Sequence, residues 1–275
     1  MMSEKIELLG KGLYTDIPDE LTLTSIPTAS ELDYVGSEDF EATMLDKILP
    51  QAVEEKINFR NLLEIDFQWL CRCLRILNYG PYYTTNAILC SDCGNTSYGE
   101  YVVDLRTIGC KSLPEGFKNE IKISKDEFID FNGDVVLKLP TIQDIMNAYK
   151  DKAFINEKGR VNRDLARMCY MIKSIKGKSG LTPIEIKMKI QKDLSAADYV
   201  ILKKEITEMT DYGLRAGGTV TCPKCQSSTA AFIALVDDRF FRPTLGDLRQ
   251  WKRSRDTGSD EDVSGDKTAA VREHN

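Results

Sequence analysis

Cys90-Ser91-Asp92-Cys93-Gly94 and, after 127 intervening residues, Cys222-Pro223-Lys224-Cys225 are the two stretches on which the fold turns. A Cys-x-x-Cys turn can place two sulfurs on one ion, and two such turns complete the four-sulfur tetrahedron that zinc prefers. Gly94 and Pro223 suit knuckles, which need unusual dihedrals and backbone amides free to face sulfur. Cys90, Cys93, Cys222 and Cys225 are therefore expected to hold one structural Zn2+. Two unrelated pairs of core thiols fit less well, because both pairs sit in polar turns. A thioredoxin-like redox pair opens a helix after a strand, whereas these pairs sit between strand-like arms. Four thiolates also close the shell, while catalytic zinc keeps an open position.

Working outward, residues 82–104 read as a hairpin, with arms Tyr82 to Leu89 and Ser97 to Leu105 on either side of the first cysteine pair. Residues 218–236 repeat the plan, Gly218 to Thr221 leading in and Thr229 to Val236 leading out. A metal shared by the two closes a very long loop, a structural role set against high chain entropy. Residues 106–217 are then an inserted subdomain whose ends are expected to lie close together beside the zinc.

Inside that insertion, Ile121, Ile123 and Val135-Val136-Leu137 suggest a small sheet, with a turn at Asn132-Gly133. Four helices follow from periodicity. Ile142, Ile145, Met146 and Tyr149 give the first, with Thr141 as N-cap; Leu165, Met168, Cys169 and Ile172 give the second. Thr182-Pro183-Ile184-Glu185 is a capping box with proline at the first helical position, and opens the third. Tyr199, Leu202, Ile206 and Met209 mark the fourth.

Ahead of the first knuckle, Leu21 to Thr24 look like an edge strand, and Phe40, Met44, Leu45 and Ile48 recur at helical spacing before Pro50. The clearest helix is 66–77, DFQWLCRCLRIL, apolar on two sides and hence buried. Its Cys71 and Cys73 lie about 200° apart around the axis, which makes them core thiols. The expected architecture is α+β. A split zinc-ribbon-like β module is closed by the four-cysteine zinc and carries a mainly helical insertion. The segments are 1–105, an N-terminal helical segment with the first knuckle; 106–217, the insertion; 218–252, the second knuckle and a closing strand; and 253–275, a polar, disordered tail.

Composition narrows the function. The chain has 275 residues, 42% hydrophobic and 29% charged, enough for a substantial core. The N-terminus lacks a signal-length apolar run, and no stretch approaches the roughly 18 apolar residues of a membrane span. Folding in cytoplasm, with its eight cysteines reduced, is the expectation. The only histidine is His274, which argues against Ser–His or Cys–His catalysis. Net charge is −6, and the basic clusters at 173–178, 203–204 and 249–255 are short, which argues against a nucleic-acid stripe. Gly213 to Gly218 follows a helix and so lacks the context of a phosphate loop.

The order of phrases resembles the T4-type phage baseplate hub assembly proteins. Gly10-Lys11-Gly12-Leu13-Tyr14 is followed by Ile17-Pro18-Asp19-Glu20-Leu21-Thr22-Leu23. Arg75-Ile76-Leu77-Asn78-Tyr79-Gly80-Pro81-Tyr82-Tyr83, the two cysteine pairs and Phe240-Phe241-Arg242-Pro243-Thr244-Leu245-Gly246-Asp247-Leu248-Arg249 complete it, spanning roughly residues 8–251. The sequence departs from that family where a proline and serine usually precede the first glycine, and Arg-Pro-Leu appears only as Ser25-Ile26-Pro27. The resemblance implies a structural or chaperone-like assembly protein of a contractile-tail baseplate hub, not an enzyme. It would act by binding other baseplate and tail hub proteins, in the host cytoplasm during assembly and in the virion tail baseplate. No nucleic acid, membrane or small-molecule substrate is expected. The rival reading is a zinc-ribbon nucleic-acid-binding regulator, disfavoured by the acidic balance because phosphate neutralisation supplies most of such affinity.

Overall fold

The computed structural model describes residues 2–27, 37, 39–157, 159–215, 217–233 and 238–256, as a mixture of helices and small antiparallel sheets. Strand β1 (Ser3–Glu7) pairs with β2 (Glu20–Thr24), from Ser3 opposite Thr24 to Glu7 opposite Glu20. Strand alternation puts Leu21 and Leu23 in the core and turns Thr22 outward to Glu55. A helical run, α1, follows as Phe40–Thr43, a π-turn segment Met44–Ile48, and Leu49–Ala52. The helix thus continues past Pro50, where the sequence suggested a stop.

Helix α2 (Glu64–Tyr79) is the centre of the N-terminal part, with Phe67, Leu70, Cys71 and Leu74 wholly buried. Polar side chains on it are buried too, and each is matched. Asp66 accepts from the amides of Leu9 at 2.6 Å and Gly10 at 3.2 Å, and from the Tyr14 hydroxyl, which itself accepts from the Leu63 amide at 2.9 Å. A Cβ on Gly10 would stand 2.7 Å from Asp66 Oδ2, so the close approach requires glycine. At the other end, Gly80 has φ +78° and a Cβ there would stand 2.4 Å from the Trp251 ring.

Strands β3 (Tyr82–Leu89) and β4 (Thr96–Asp104) form one hairpin. Past β4, the short strand β5 (Cys110–Lys111) leads into the insertion. There β6 (Ile121–Ile123) and β7 (Val135–Leu137) precede α3 (Ile142–Lys150) and α4 (Arg163–Met171). Strands β8 (Ile172–Ile175) and β9 (Lys178–Ser179) then complete a sheet of order β6-β7-β8-β9. Helices α5 (Pro183–Asp193) and α6 (Ala196–Thr210) follow, and β10 (Gly213–Leu214) returns to pair with β5, Gly213 opposite Lys111 and Leu214 opposite Cys110.

Local chemistry explains these elements. Thr141 with Asp144 and Thr182 with Glu185 are reciprocal capping boxes, the latter with Pro183 at its first turn. Ile172 is a strand residue, not the end of a helix as its spacing suggested. The Lys176-Gly177 pair, both at positive φ, makes the two-residue turn that folds β8 back on β9 and draws Ile172 and Ile175 onto the sheet's buried face. Two apolar clusters result. One gathers β1, β2, α1, most of α2, Val103, Val220, Phe240 and the α3 residues Ile142, Ile145 and Met146; the other fills the rest of the insertion and also takes Leu63 and Ile65. Glu64 on α2 accepts both guanidinium arms of Arg167 on α4, one of them at 3.1 Å, which joins the two clusters.

After β11 (Gly217–Thr221) and β12 (Ser228–Phe232), the chain differs from expectation. In place of a closing strand, Asp238–Phe241 form a 3-10 turn and Leu245–Asp256 form α7. The helix occupies 253–256, which the sequence placed in the tail; 257–275 lie outside the described residues. Thr244 begins α7: its amide donates to Asp247 at 2.8 Å and its hydroxyl accepts from the Asp247 amide at 3.1 Å. Thr-x-x-Asp is a sequence signature of that reciprocal cap, though its polar surroundings hide it.

Asp198 offers a test of the insertion. Burial favours its neutral form, but the Ile129 amide at 2.7 Å, the Ser195 hydroxyl at 2.9 Å and the Asp130 amide together hold its carboxyl below the usual range. A depressed carboxyl contributes stability above the unfolded value of 3.8 and loses it as pH falls through the folded value. Asp198→Asn is therefore expected to be less stable than the wild type at pH near 7. The gap should begin to narrow below the ordinary aspartate pKa of about 3.9 and close only below the depressed folded value, as read by urea unfolding across that acid range.

Candidate metal centre

The tips of the β3–β4 and β11–β12 hairpins meet, and their turns are built alike. In the first, the Cys90 amide donates to Asn95 O at 3.0 Å and the Gly94 amide to Cys90 O at 3.0 Å. In the second, the Cys222 amide donates to Ser227 O at 2.8 Å and the Gln226 amide to Cys222 O at 2.9 Å. The equivalent residues Gly94 and Gln226 both take left-handed backbone, at φ 64° and 63°. The sequence showed this requirement only where glycine met it.

Two contacts set the hairpins against each other. Gly218 lies so close to Val103 that an added Cβ would stand 2.0 Å from its Cγ1. Thr229 accepts from the Ser91 amide at 3.4 Å and donates to Leu89 O at 3.2 Å.

The four sulfurs predicted from spacing all come together, each within 4.8 Å of the others. Cys90 and Cys225 sulfurs are 3.6 Å apart, and Cys93 and Cys222 sulfurs 3.9 Å. A tetrahedron with metal–sulfur bonds of about 2.3 Å has edges of about 3.8 Å, so these spacings fit a single ion. Cys90 and Cys222 are buried, whereas Cys93 and Cys225 reach the surface. The four cysteines could bind a metal ion.

Electrostatics separates Cys90 and Cys225 from the rest. The Ser227 hydroxyl, then the Cys93 amide, hold Cys90 down at about 6, and Ser227 likewise lowers Cys225. Ser227 Oγ lies 3.5 Å from Cys90 Sγ and 2.9 Å from Cys225 Sγ. The Asn95 amide favours the Cys93 thiolate, but desolvation and the three neighbouring thiols outweigh it and push Cys93 up to about 11. Four thiolates so close repel one another, and a divalent cation removes that repulsion. By contrast, burial pushes Cys73 and Cys169 up to about 12 and Cys71 higher still. Those three are core thiols.

Sequence reasoning missed Ser227 and Thr229, since serine and threonine in a polar turn carry no spacing signal. Among the described residues, no helix is long and apolar enough to cross a membrane. No protein-family model, curated protein or solved structure matches the chain.

Gln226 holds a conformation that costs a side-chain-bearing residue about 1–2 kcal/mol. Gln226→Gly should keep the metal site and raise stability by about 1 kcal/mol, despite losing the side-chain bond to Pro223 O. Urea unfolding of the metal-loaded protein checks this.

Proposed function

We propose that the chain is a zinc-clamped structural or assembly protein of a phage contractile-tail baseplate hub, acting by binding other hub and tail proteins rather than by catalysis. In this reading the two hairpins are a split zinc-ribbon-like module. The ion is zinc because an all-thiolate tetrahedron is a set that zinc prefers and that hard oxygen-seeking cations do not.

The observation that carries the proposal is the convergence of the phrases behind the family resemblance. Gly10 and Tyr14 close on Asp66 of α2. Gly80 receives Trp251, and Arg75 receives Asp247 and the Phe240 carbonyl. The two cysteine pairs meet at the hairpin tips. Phrases far apart in the chain therefore serve one scaffold, which supports reading them as a family framework. A closed thiolate shell leaves no coordination position for substrate, which favours a structural role.

Two measurements test the proposal. Elemental analysis of protein expressed with zinc available should find one zinc per chain. Cys222→Ser should lose it, with a large fall in stability, because zinc binding in comparable peptide sites is worth on the order of 10 kcal/mol. A metal-free wild type would end the zinc reading. For the role, deleting the gene from the phage that encodes the chain should leave full heads without tails in electron micrographs of the lysate. Normal tails would refute the baseplate assignment and leave the metal centre standing.

A further inference from the structure

Charge is unevenly divided along this chain. Residues 1–57 carry 13 acidic and 4 basic side chains, whereas residues 173–193 carry 6 lysines and two acids, Glu185 and Asp193. Among the described residues these two sets lie on different units: the first on the β1–β2 hairpin and around α1, the second on the β8–β9 turn and α5 of the insertion.

Helix α5 presents more than charge. Ile184 and Met188, one turn apart, are 49% and 63% exposed, although the same helix buries Ile186 and Ile190. A helix with a second apolar stripe facing solvent has more apolar surface than its own fold uses. Lys189 and Lys192 border that stripe; Glu185 stands on the same helix near Lys189. Lys187 is held inward, donating to Ala153 O at 2.6 Å. On the acidic side, a shallow, wide-open groove lies between Glu7, Lys11, Gly12, Pro18, Asp19 and Glu20. Lys11 pairs with Glu7 at 2.7 Å and Asp19 accepts from the Gly12 amide at 2.7 Å, which leaves the groove with an acidic balance.

We propose that the α5 face of one copy docks head-to-tail on the acidic β1–β2 groove of a second copy of this chain. Charge complementarity selects the occupant. With a net charge of −6, like copies repel in general, and a lysine-bordered face meeting a carboxylate-lined groove is an orientation that turns repulsion into attraction. Ile184 and Met188 supply the apolar contact within that rim. Because the two surfaces differ, the contact is heterologous and propagates to a ring or an open chain. This inference stands apart from the baseplate assignment and from the metal.

The test is the mass of the metal-loaded, full-length protein by sedimentation or light scattering. At about 10 mM salt, where charges are felt over about 30 Å, the weight-average mass should rise with concentration to at least roughly twice the 31.1 kDa of one chain. At about 1 M salt, where the range is about 3 Å, it should return to one chain. Lys189→Glu/Lys192→Glu and Glu20→Lys should each remain single alone, with circular dichroism and metal content unchanged. Mixed, they should pair again, since the unaltered α5 face of the Glu20→Lys variant then meets the unaltered groove of the lysine variant. A wild type that stays single at low salt would overturn the proposal. So would association insensitive to salt, or two variants that do not combine on mixing. Salt-sensitive binding to a DNA duplex, lost in the lysine variant and without self-association, would assign the α5 face to nucleic acid instead.

Discussion

A guanidinium taken out of water must find an acceptor for its donors, and Arg75 finds them on backbone that is otherwise hard to hold. Its side chain is 0% exposed. Nε donates to Phe240 O at 2.9 Å, Nη1 to Gly80 O at 3.0 Å and Nη2 to Tyr82 O at 3.0 Å, with Asp247 at 3.6 Å as counter-charge. One side chain thereby fixes the end of α2, the start of β3 and the segment before α7. Desolvating such a charge is costly in isolation, so leaving it without partners would be strongly destabilising. The closing segment cannot leave without taking from Arg75 its Phe240 acceptor and its Asp247 counter-charge.

Asp247 extends the same logic. It accepts from Thr84 Oγ1 at 2.5 Å and from the Thr244 amide, so it caps α7 while neutralising Arg75 and gripping β3. Trp251, one turn further along α7, covers the space over Gly80 that no side chain could share. The root of the first hairpin is thus locked by the closing helix, and the four cysteines do the same at its tip. Between these two anchors β3 and β4 carry little core of their own: Ile88 and Val103 are buried, while Leu89, Tyr98 and Val102 face outward. A two-stranded hairpin is marginal by itself. Its order comes from both ends being held.

Much of this was legible in sequence, and the reasons are particular. The cysteine spacing named all four clustered sulfurs because thiolate geometry admits few arrangements. Capping boxes at Thr141 and Thr182 were readable because the partners lie three residues apart. The periodicity of α2 was clear, but not that its Asp66 and Arg75 would be buried, since their acceptors and donors lie more than fifty residues away or on backbone without a sequence signature. The strand at Ile172 was lost to a helical spacing that continued by coincidence past Met171. Helix α7 was lost because the segment to 252 reads as ending in a closing strand and Arg253 and Arg255 as polar tail, whereas one aromatic and one capping aspartate were enough to dock it.

The metal and the apolar cores divide the labour by distance along the chain. β5–β10 pairing already brings the two ends of the insertion together and the Glu64–Arg167 bonds tie its α4 to α2, so an ion bound by the cysteines would not have to close the whole loop by itself. Its task would be narrower: to bind two hairpin tips where Ser227 and Thr229 offer only hydroxyl contacts and the strands do not share backbone bonds. Loss of the ion would first free the tips, because the roots keep Arg75, Asp247 and the Gly218–Val103 contact. An ion held by the four cysteines would in this sense be a local clamp at the tips of the two hairpins, far from the α2 core.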